Sequence, residues 1–170
     1  MLEIIALLSL IGALIVLSLL AIIDLKTYLL PNKLVFTFFC LGILFHLCTD
    51  FNNASPIDMA LGALIGSGSL YSIRVIANRI YKTDTLGLGD VKLMGAAGVW
   101  LGPYFILMAL TAGALAGIIH GLALAILIWL KTKSWPNFNH LSLPAGPGFA
   151  AGILIASCIM LKDFPKELLS

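Results

Sequence analysis

Two aspartates stand at the ends of long apolar segments, in a chain that has only eight acidic residues. Asp24 ends the first apolar run, and Asp90 opens a later one in the stretch Gly87-Leu88-Gly89-Asp90. A carboxylate costs roughly 2.5 to 3.5 kcal/mol at the centre of a bilayer and less near its edge, so such residues usually have a function. Two carboxyl groups in one site share a proton, and then one can act as general base and the other as general acid. Asp24 and Asp90 are therefore our candidate catalytic residues.

The composition indicates where such a pair would operate. Hydrophobic residues make up 61% of the 170 residues, and charged residues only 11%. The mean hydropathy is +1.08. A soluble domain needs a more polar surface, so we predict an integral membrane protein. The apolar runs are continuous rather than alternating, which favours an all-α polytopic fold over a barrel. The formal net charge of +2 gives no indication of a nucleic-acid partner.

Apolar length and helix-breaking residues predict six transmembrane helices in a single domain that covers residues 1–170. A spanning helix needs about 20 residues. Pro31-Asn32 marks the start of the second helix, because proline is favoured in the first turn. Gly102-Pro103 separates a short fourth helix from a long fifth one. The predicted spans are residues 2–23, 34–48, 57–76, 91–101, 104–130 and 143–161.

The distribution of charge predicts that both termini lie outside, in the periplasm. Basic residues concentrate on the cytoplasmic side of membrane proteins. With six spans and an outside N-terminus, eight of the ten Lys and Arg residues fall inside: Lys26, Lys33, Arg74, Arg79, Lys82, Lys92, Lys131 and Lys133. Only three acids fall inside, namely Asp24, Asp84 and Asp90. The two catalytic candidates thus share one depth although they are 66 positions apart, and helix packing can bring them together.

The residues beside Asp90 are candidates for shaping the site. Gly87 and Gly89 tolerate positive φ and close backbone approach, so an extended substrate could lie beside them. The start of a helix favours an anion by about 0.3 to 1 kcal/mol, which predicts that Asp90 ionises more readily than Asp24. Lys92 is either a determinant of topology or a hydrogen-bond donor near the two aspartates.

Pro31 and Asn32 have two interpretations as well, since they can start the second helix or contact a substrate. The sequence predicts no metal and no cofactor. His120 lies in an apolar segment without a second ligand at helical spacing, and the three cysteines form no CxxC pair.

Three elements carry a resemblance to a known family. The first is Asp24 followed by Tyr28-Leu29-Leu30-Pro31-Asn32, and the second is Gly87-Leu88-Gly89-Asp90-Val91-Lys92-Leu93. The third is Pro144-Ala145-Gly146-Pro147-Gly148. In this order they resemble the first-Asp element with its Ile-Pro-Asn, the second-Asp GxGD motif and the Pro-Phe-Gly-Pro element of type IV prepilin peptidases. The resemblance covers residues 10–160, which is nearly the whole chain.

The resemblance implies an intramembrane aspartic endopeptidase of the bacterial inner membrane, with Asp24 and Asp90 as its catalytic pair. Such an enzyme removes the basic leader peptide of type IV prepilins or pseudopilins at the cytoplasmic face. Its implied partners are these substrates, the lipid bilayer and the assembly machinery of a pilus or protein-secretion system. Asp84 is then a candidate contact for the basic leader.

Many members of the family carry a cytoplasmic insertion with paired CxxC motifs, which is associated with N-methylation of the new pilin terminus. The chain resembles the short form without this insertion. We therefore expect peptidase activity and do not expect N-methyltransferase activity.

Two other functions are compatible with a pair of intramembrane acids. A small transporter subunit could bind a cation or proton between them, although both acids lie at one face and no inverted repeat is visible. A non-enzymatic assembly factor of a pilus or secretion machine is the second alternative, and an intact pair of acids argues against it. Ion flux without proteolysis would indicate the transporter. Pilus assembly that survives mutation of the pair would indicate the assembly factor.

Overall fold

The computed structural model describes residues 1–84, 86–133 and 145–162. These residues form five α-helices with no strand among them, so the prediction of an all-α protein is confirmed. The helices are α1 (Leu2–Thr27), α2 (Asn32–Cys48), α3 (Pro56–Tyr81), α4 (Leu88–Thr132) and α5 (Gly146–Met160). Residues 143 and 144 lie outside the described residues. They are the first two residues of the predicted last span, and the second of them is Pro144 of the third motif.

Several helices are longer than the apolar runs that predicted them, because backbone caps rather than hydropathy determine where they end. α1 continues past residue 23 to a left-handed Tyr28, whose N–H donates to the carbonyl of Asp24. Lys82, also left-handed, closes α3 five residues beyond the predicted limit. α4 begins three residues earlier than predicted. As a result, Asp24 and Asp90 both lie inside the end turns of helices.

α4 contains a reversal of direction at Gly102. The backbone of Gly102 has φ 66° and ψ −178°, a conformation that is essentially restricted to glycine. Pro103 follows and has no N–H to continue the helix. The residues on either side form two arms, 88–101 and 103–132, that run side by side, since Gly66 of α3 contacts both Met94 and Ile106. The break that the sequence predicted at this Gly-Pro pair is confirmed.

His46 of α2 stabilises the reversal. The break at Gly102 interrupts the helical hydrogen bonds of the last carbonyls in the first arm. The side chain of His46 is 0% exposed, and its Nε2–H donates to the carbonyl of Trp100 over 3.1 Å. The indole N–H of Trp100 in turn donates to the carbonyl of Phe38 over 2.9 Å. These bonds attach α2 to the first arm of α4 at the end where the arm reverses.

Small residues pack α3 and α5 closely against the two arms of α4. A Cβ atom on Gly62 of α3 would overlap the carbonyl of Gly98, and one on Gly98 would overlap the carbonyl of Gly62. In the same way, Gly152 of α5 lies against the carbonyl of Ala109 in the second arm. Such close backbone approach is typical of helix packing in membranes. α1 packs on α2 and α5, whereas α2 and α3 do not pack directly on each other.

Contacts between helix ends define what we call the aspartate end of the bundle. It comprises the last turns of α1 and α3 and the first turns of α2, α4 and α5. Three hydrogen-bonded pairs join these turns and the segments beside them: Asp24 with Gly146, Lys92 with Asn32, and Arg74 with the carbonyl of Leu86. Both predicted catalytic residues therefore lie at one end of the bundle.

The outer faces of the helices are apolar. Large side chains such as Ile4, Leu64 and Ile119 are more than half exposed, and a water-soluble monomer rarely shows so continuous an apolar surface. α1, α3 and α4 are long and apolar enough to span a membrane, and α2 and α5 are shorter apolar helices. The protein is an integral membrane protein whose outer faces fit contact with lipid.

Candidate active site

Asp24 and Asp90 are buried together at the aspartate end. Their side chains are 5% and 7% exposed, and they lie in the last turn of α1 and the first turn of α4. The two carboxylates are close enough to repel each other electrostatically when both are charged. The structure thus brings together the two predicted catalytic residues. Within the described residues, no group of three His, Cys, Asp or Glu side chains could hold a metal ion.

Asp24 receives a hydrogen bond from the start of α5. The backbone N–H of Gly146, the first residue of that helix, donates to Asp24 Oδ2 over 2.9 Å in a buried position. A Cβ atom on residue 146 would lie only 2.6 Å from this oxygen, so the approach requires glycine. The sequence alone predicted no role for the third motif. The structure shows that its glycine contacts the first aspartate.

Asp90 has a different environment. Its Oδ1 is buried and accepts no hydrogen bond from the described part of the chain. Its Oδ2 lies close to Gly87, where a Cβ atom would be 3.1 Å away. An acceptor that is buried without a donor is costly, and it is therefore suited to bind a polar group of a ligand.

The two glycines of the motif act through close approach. Gly87 has a φ of −65°, and neither it nor Gly89 is among the described residues with positive φ. A Cβ atom on Gly89 would lie 2.8 Å from the Cβ of Leu30, so the α1–α2 turn packs directly on the start of α4. The positive φ that the sequence allowed at these glycines is not used. Leu30 is a contact that the sequence did not predict.

Lys92 and Asn32 form a polar contact beside the pair. The Lys92 ammonium donates to Asn32 Oδ1 over 2.9 Å and joins the first turns of α4 and α2. Pro31 occupies the cap position just before Asn32 with φ −63° and ψ 122°. Pro31 therefore has the helix-starting role that the sequence offered as one interpretation, and Lys92 acts as a hydrogen-bond donor.

Asp84 is exposed and is held by α3. Its Oδ1 accepts hydrogen bonds from Arg74 Nη2 over 2.7 Å and from Asn78 Nδ2 over 3.0 Å. The Asp84 side chain is 79% exposed, whereas that of Arg74 is 15% exposed. Arg74 also donates to the carbonyl of Leu86 and so anchors the segment that leads into α4. This role of Arg74 was not predictable from the sequence, because a basic residue near a helix end is explained by topology alone.

An apolar groove of about 710 Å³ opens between α2, α3 and the first arm of α4. It exists because α2 and α3 do not pack on each other, so that the arm of α4 forms its floor. Lys92 and Asn32 line its aspartate end, and small side chains such as Ala63 and Ala96 line its length.

Comparisons with known proteins identify the family of the chain. The chain is 34% identical over 144 residues to the prepilin leader peptidase/N-methyltransferase of Pectobacterium carotovorum subsp. carotovorum. The aligned residues are 83% of this chain and 48% of that protein. It is 32% identical over 134 residues to the protein of the same name from Escherichia coli (strain K12). This alignment covers 72% of this chain and 59% of that protein. A third relative is the type 4 prepilin-like proteins leader peptide-processing enzyme of Escherichia coli O78:H11, at 35% identity over 127 residues, covering 72% of this chain and 44% of that protein.

The chain spans about half the length of the curated relatives it matches. No solved structure shows a significant match. The sequence model of the type IV leader peptidase family matches residues 11–122, a segment that includes both Asp24 and Asp90. Because this match covers more than half of the chain, the protein belongs to the type IV leader peptidase family.

Proposed function

We propose that this protein is an intramembrane aspartic endopeptidase that removes the leader peptide of type IV prepilins or pseudopilins. The observation that carries the proposal is the buried pair of carboxylates from α1 and α4, one of which has an oxygen without a donor. Membership of the type IV leader peptidase family and the names of the relatives support the substrate class. Asp24 and Asp90 are the proposed catalytic residues, and Gly87, Gly89, Lys92, Asp84, Pro31 and Asn32 are proposed to shape the site or contact the substrate.

The reaction follows from one proton shared by two carboxyl groups. The charged carboxylate takes a proton from water while the water oxygen bonds to the carbon of the scissile carbonyl. The protonated carboxyl gives its proton to the carbonyl oxygen, and a gem-diol forms. The first group then protonates the amide nitrogen as the C–N bond breaks, and a diol hydroxyl returns a proton to the second group. The pair regains its starting state without a covalent intermediate.

We also propose that the chain crosses the bacterial inner membrane six times as one domain, with both termini in the periplasm. The two arms of α4 would supply the fourth and fifth crossings. The aspartate end would then face the cytoplasm, in agreement with the basic residues that accumulate at that end. This orientation brings the pair to the side where a leader peptide would be presented.

The groove between α2 and α3 is the place we propose for the apolar helix of the substrate. It is continuous with the polar contact of Lys92 and Asn32 beside the aspartates. Its small side chains allow a helix to approach closely, as is typical of helix interfaces in membranes. A substrate helix in this position would extend towards the aspartate end, where the leader peptide joins the helix.

Cleavage of a model prepilin by the purified protein in detergent tests the function. We expect the wild type to shorten the substrate and both Asp24→Asn and Asp90→Asn to abolish cleavage, because each lacks one of the two acid–base groups. Asp50→Asn is a matched control, since Asp50 is exposed in the α2–α3 loop at the opposite end and asparagine tolerates its left-handed backbone.

Three outcomes would contradict the proposal. Failure of the wild type to cleave several pilin-like substrates would favour the transporter or the assembly factor. Cleavage that persists in both Asp→Asn variants would remove the pair from the mechanism. An equal loss in the Asp50→Asn control would show that the assay reports folding rather than catalysis.

A further inference from the structure

We infer that Gly146 is a positioning residue that makes the two aspartates unequal, so that Asp24 is the charged base and Asp90 holds the shared proton. This inference rests on the proposed function. It assigns a separate role to each carboxyl group, and it gives a role to the Gly-Pro pair that opens α5.

The hydrogen bonds of the two carboxyl groups are asymmetric. Asp24 Oδ2 accepts a buried N–H from Gly146 at 2.9 Å, whereas Asp90 Oδ1 accepts no hydrogen bond from the described residues. A donor that points at a carboxylate oxygen stabilises the charged form. A protonated carboxyl carries its own donor, which it can offer to a substrate carbonyl. The shared proton therefore belongs on Asp90.

The other charged groups at this end do not reverse the asymmetry. α1 packs on α2 and α5, and α5 contains no charged residue. The first turn of α2 carries Lys33, whose side chain is exposed to the surroundings of the bundle. The first turn of α4 carries both Asp90 and Lys92, and the Lys92 ammonium donates to Asn32 Oδ1 rather than to an aspartate. Lys26, in the last turn of α1, is exposed. The charge of Asp90 opposes a second charge on the pair.

The contact also depends on the absence of a side chain. A Cβ atom at residue 146 would lie 2.6 Å from Asp24 Oδ2 and 2.8 Å from Asp24 Cγ, so any other residue would push the start of α5 away from the aspartate. Pro147, which follows, fixes the first turn of α5 and so fixes the direction of the Gly146 N–H. The two residues together hold the donor in place before substrate arrives.

In the reaction, this order gives each carboxyl group one task. Asp24 takes the proton of the attacking water, and Asp90 gives its proton to the carbonyl oxygen of the scissile bond. When the diol collapses, the proton on Asp24 passes to the leaving nitrogen, and the diol returns a proton to Asp90.

The pH profile of Gly146→Ala tests the positioning role. The new Cβ atom should displace the backbone N–H of residue 146 from Asp24 and so destabilise the charged form of Asp24. The acidic limb of the cleavage profile should therefore move to higher pH. The rate at the wild-type optimum should fall about tenfold or more. Gly117→Ala serves as the control, because its new Cβ atom meets nothing within 4 Å.

The shift should be specific to Gly146→Ala. Gly117→Ala should keep the wild-type profile. An unchanged acidic limb in Gly146→Ala, or an equal shift in Gly117→Ala, would overturn the inference.

Chemical labelling tests the assignment in the wild-type protein, even where Gly146→Ala does not fold. A charged carboxylate opens a small apolar epoxide: its oxygen bonds to the epoxide carbon as the ring C–O bond breaks, and the alkoxide that forms takes a proton from water. A protonated carboxyl reacts with a diazo ester: its proton goes to the diazo carbon, dinitrogen leaves and an ester forms. Peptide mapping by mass spectrometry should place the epoxide on Asp24 and the diazo-derived ester on Asp90.

The reverse placement, or equal labelling of both residues by both reagents, would overturn the inference. This measurement does not use a pilin substrate. A protein that cleaves no prepilin yet takes the expected labels would contradict the proposed function and leave the asymmetry of the pair intact.

Discussion

Burial disfavours a charge on both aspartates, and two further influences that oppose each other act on Asp24. It lies in the last turn of α1, where the helix dipole disfavours a negative charge by about 0.3 to 1 kcal/mol. The N–H of Gly146 opposes this effect, since a hydrogen bond to a charged group contributes about 1.5 to 3 kcal/mol. The hydrogen bond therefore outweighs the helix dipole at Asp24.

Asp90 has the opposite combination. Its position in the first turn of α4 favours an anion by the same 0.3 to 1 kcal/mol or so, but its Oδ1 has no donor among the described residues. From the sequence alone the dipole was the visible effect, and it predicted that Asp90 ionises first. The contact between Asp24 and Gly146 joins residues 122 positions apart, and nothing local in the sequence reveals it.

The contact between Lys92 and Asn32 leads to a prediction about substrate processing. Lys92→Met and Asn32→Ala should each lower kcat/KM about two- to fivefold, because both remove one exposed hydrogen bond that joins α4 to α2. The kcat/KM of the double variant should be no lower than that of the less active single variant. Steady-state cleavage of a model prepilin measures this coupling.

Lys33→Met is the matched control, because Lys33 is the exposed basic residue next to Asn32 in the same turn of α2. It should leave kcat/KM unchanged. If it causes the same loss as Lys92→Met, basic charge rather than the specific contact is responsible. Additive losses in the double variant would show that Lys92 and Asn32 act separately.

At the scale of helices, the sequence predicted the elements and their order but not their ends. Hydropathy locates apolar runs, so it placed all five helices and the break at Gly102-Pro103. The ends of α1 and α3 depend on left-handed caps at Tyr28 and Lys82, and neither is a glycine. Residues other than glycine rarely adopt this conformation, so the residue types at these two positions did not predict the caps.

The close packing of α3 on α4 predicts a difference between two glycines of the same helix. Gly62→Ala places a Cβ atom against the carbonyl of Gly98 and should lower the free energy of unfolding by about 1 to 3 kcal/mol. Gly68→Ala meets nothing within 4 Å and should be neutral or stabilise by up to about 1 kcal/mol, because alanine has the higher helix propensity. Unfolding of the purified protein in detergent, by heat or by a denaturing detergent, measures both.

Equal stability of Gly62→Ala and Gly68→Ala would mean that α3 and the first arm of α4 are not in close contact. The same comparison bears on catalysis, since the first arm carries Asp90. Gly62→Ala should therefore lose activity in step with stability, whereas Gly68→Ala should keep both.

Across the protein, charge and packing group the same helix ends by independent routes, and this grouping fits the proposed orientation. The sequence assigned the sides of the membrane from the distribution of basic residues, without any knowledge of contacts. The hydrogen bonds between helix ends place the same turns together at the aspartate end. The apolar groove could not be predicted from the sequence, because the gap between α2 and α3 results from how both helices pack on α4.

This orientation predicts which loops reach each side of the membrane. In a chain whose Cys40, Cys48 and Cys158 have been replaced by alanine, single cysteines can be placed at two exposed positions, Asn52 in the α2–α3 loop and Lys82 after α3. An impermeant maleimide added to cells with a permeabilised outer membrane should label Asn52→Cys, because that loop belongs to the end opposite the aspartates. Lys82→Cys, at the aspartate end, should react only after lysis. The reverse pattern would place the aspartates in the periplasm and would contradict cleavage of a cytoplasmic leader, whereas labelling of both positions in intact cells would contradict the six-span arrangement.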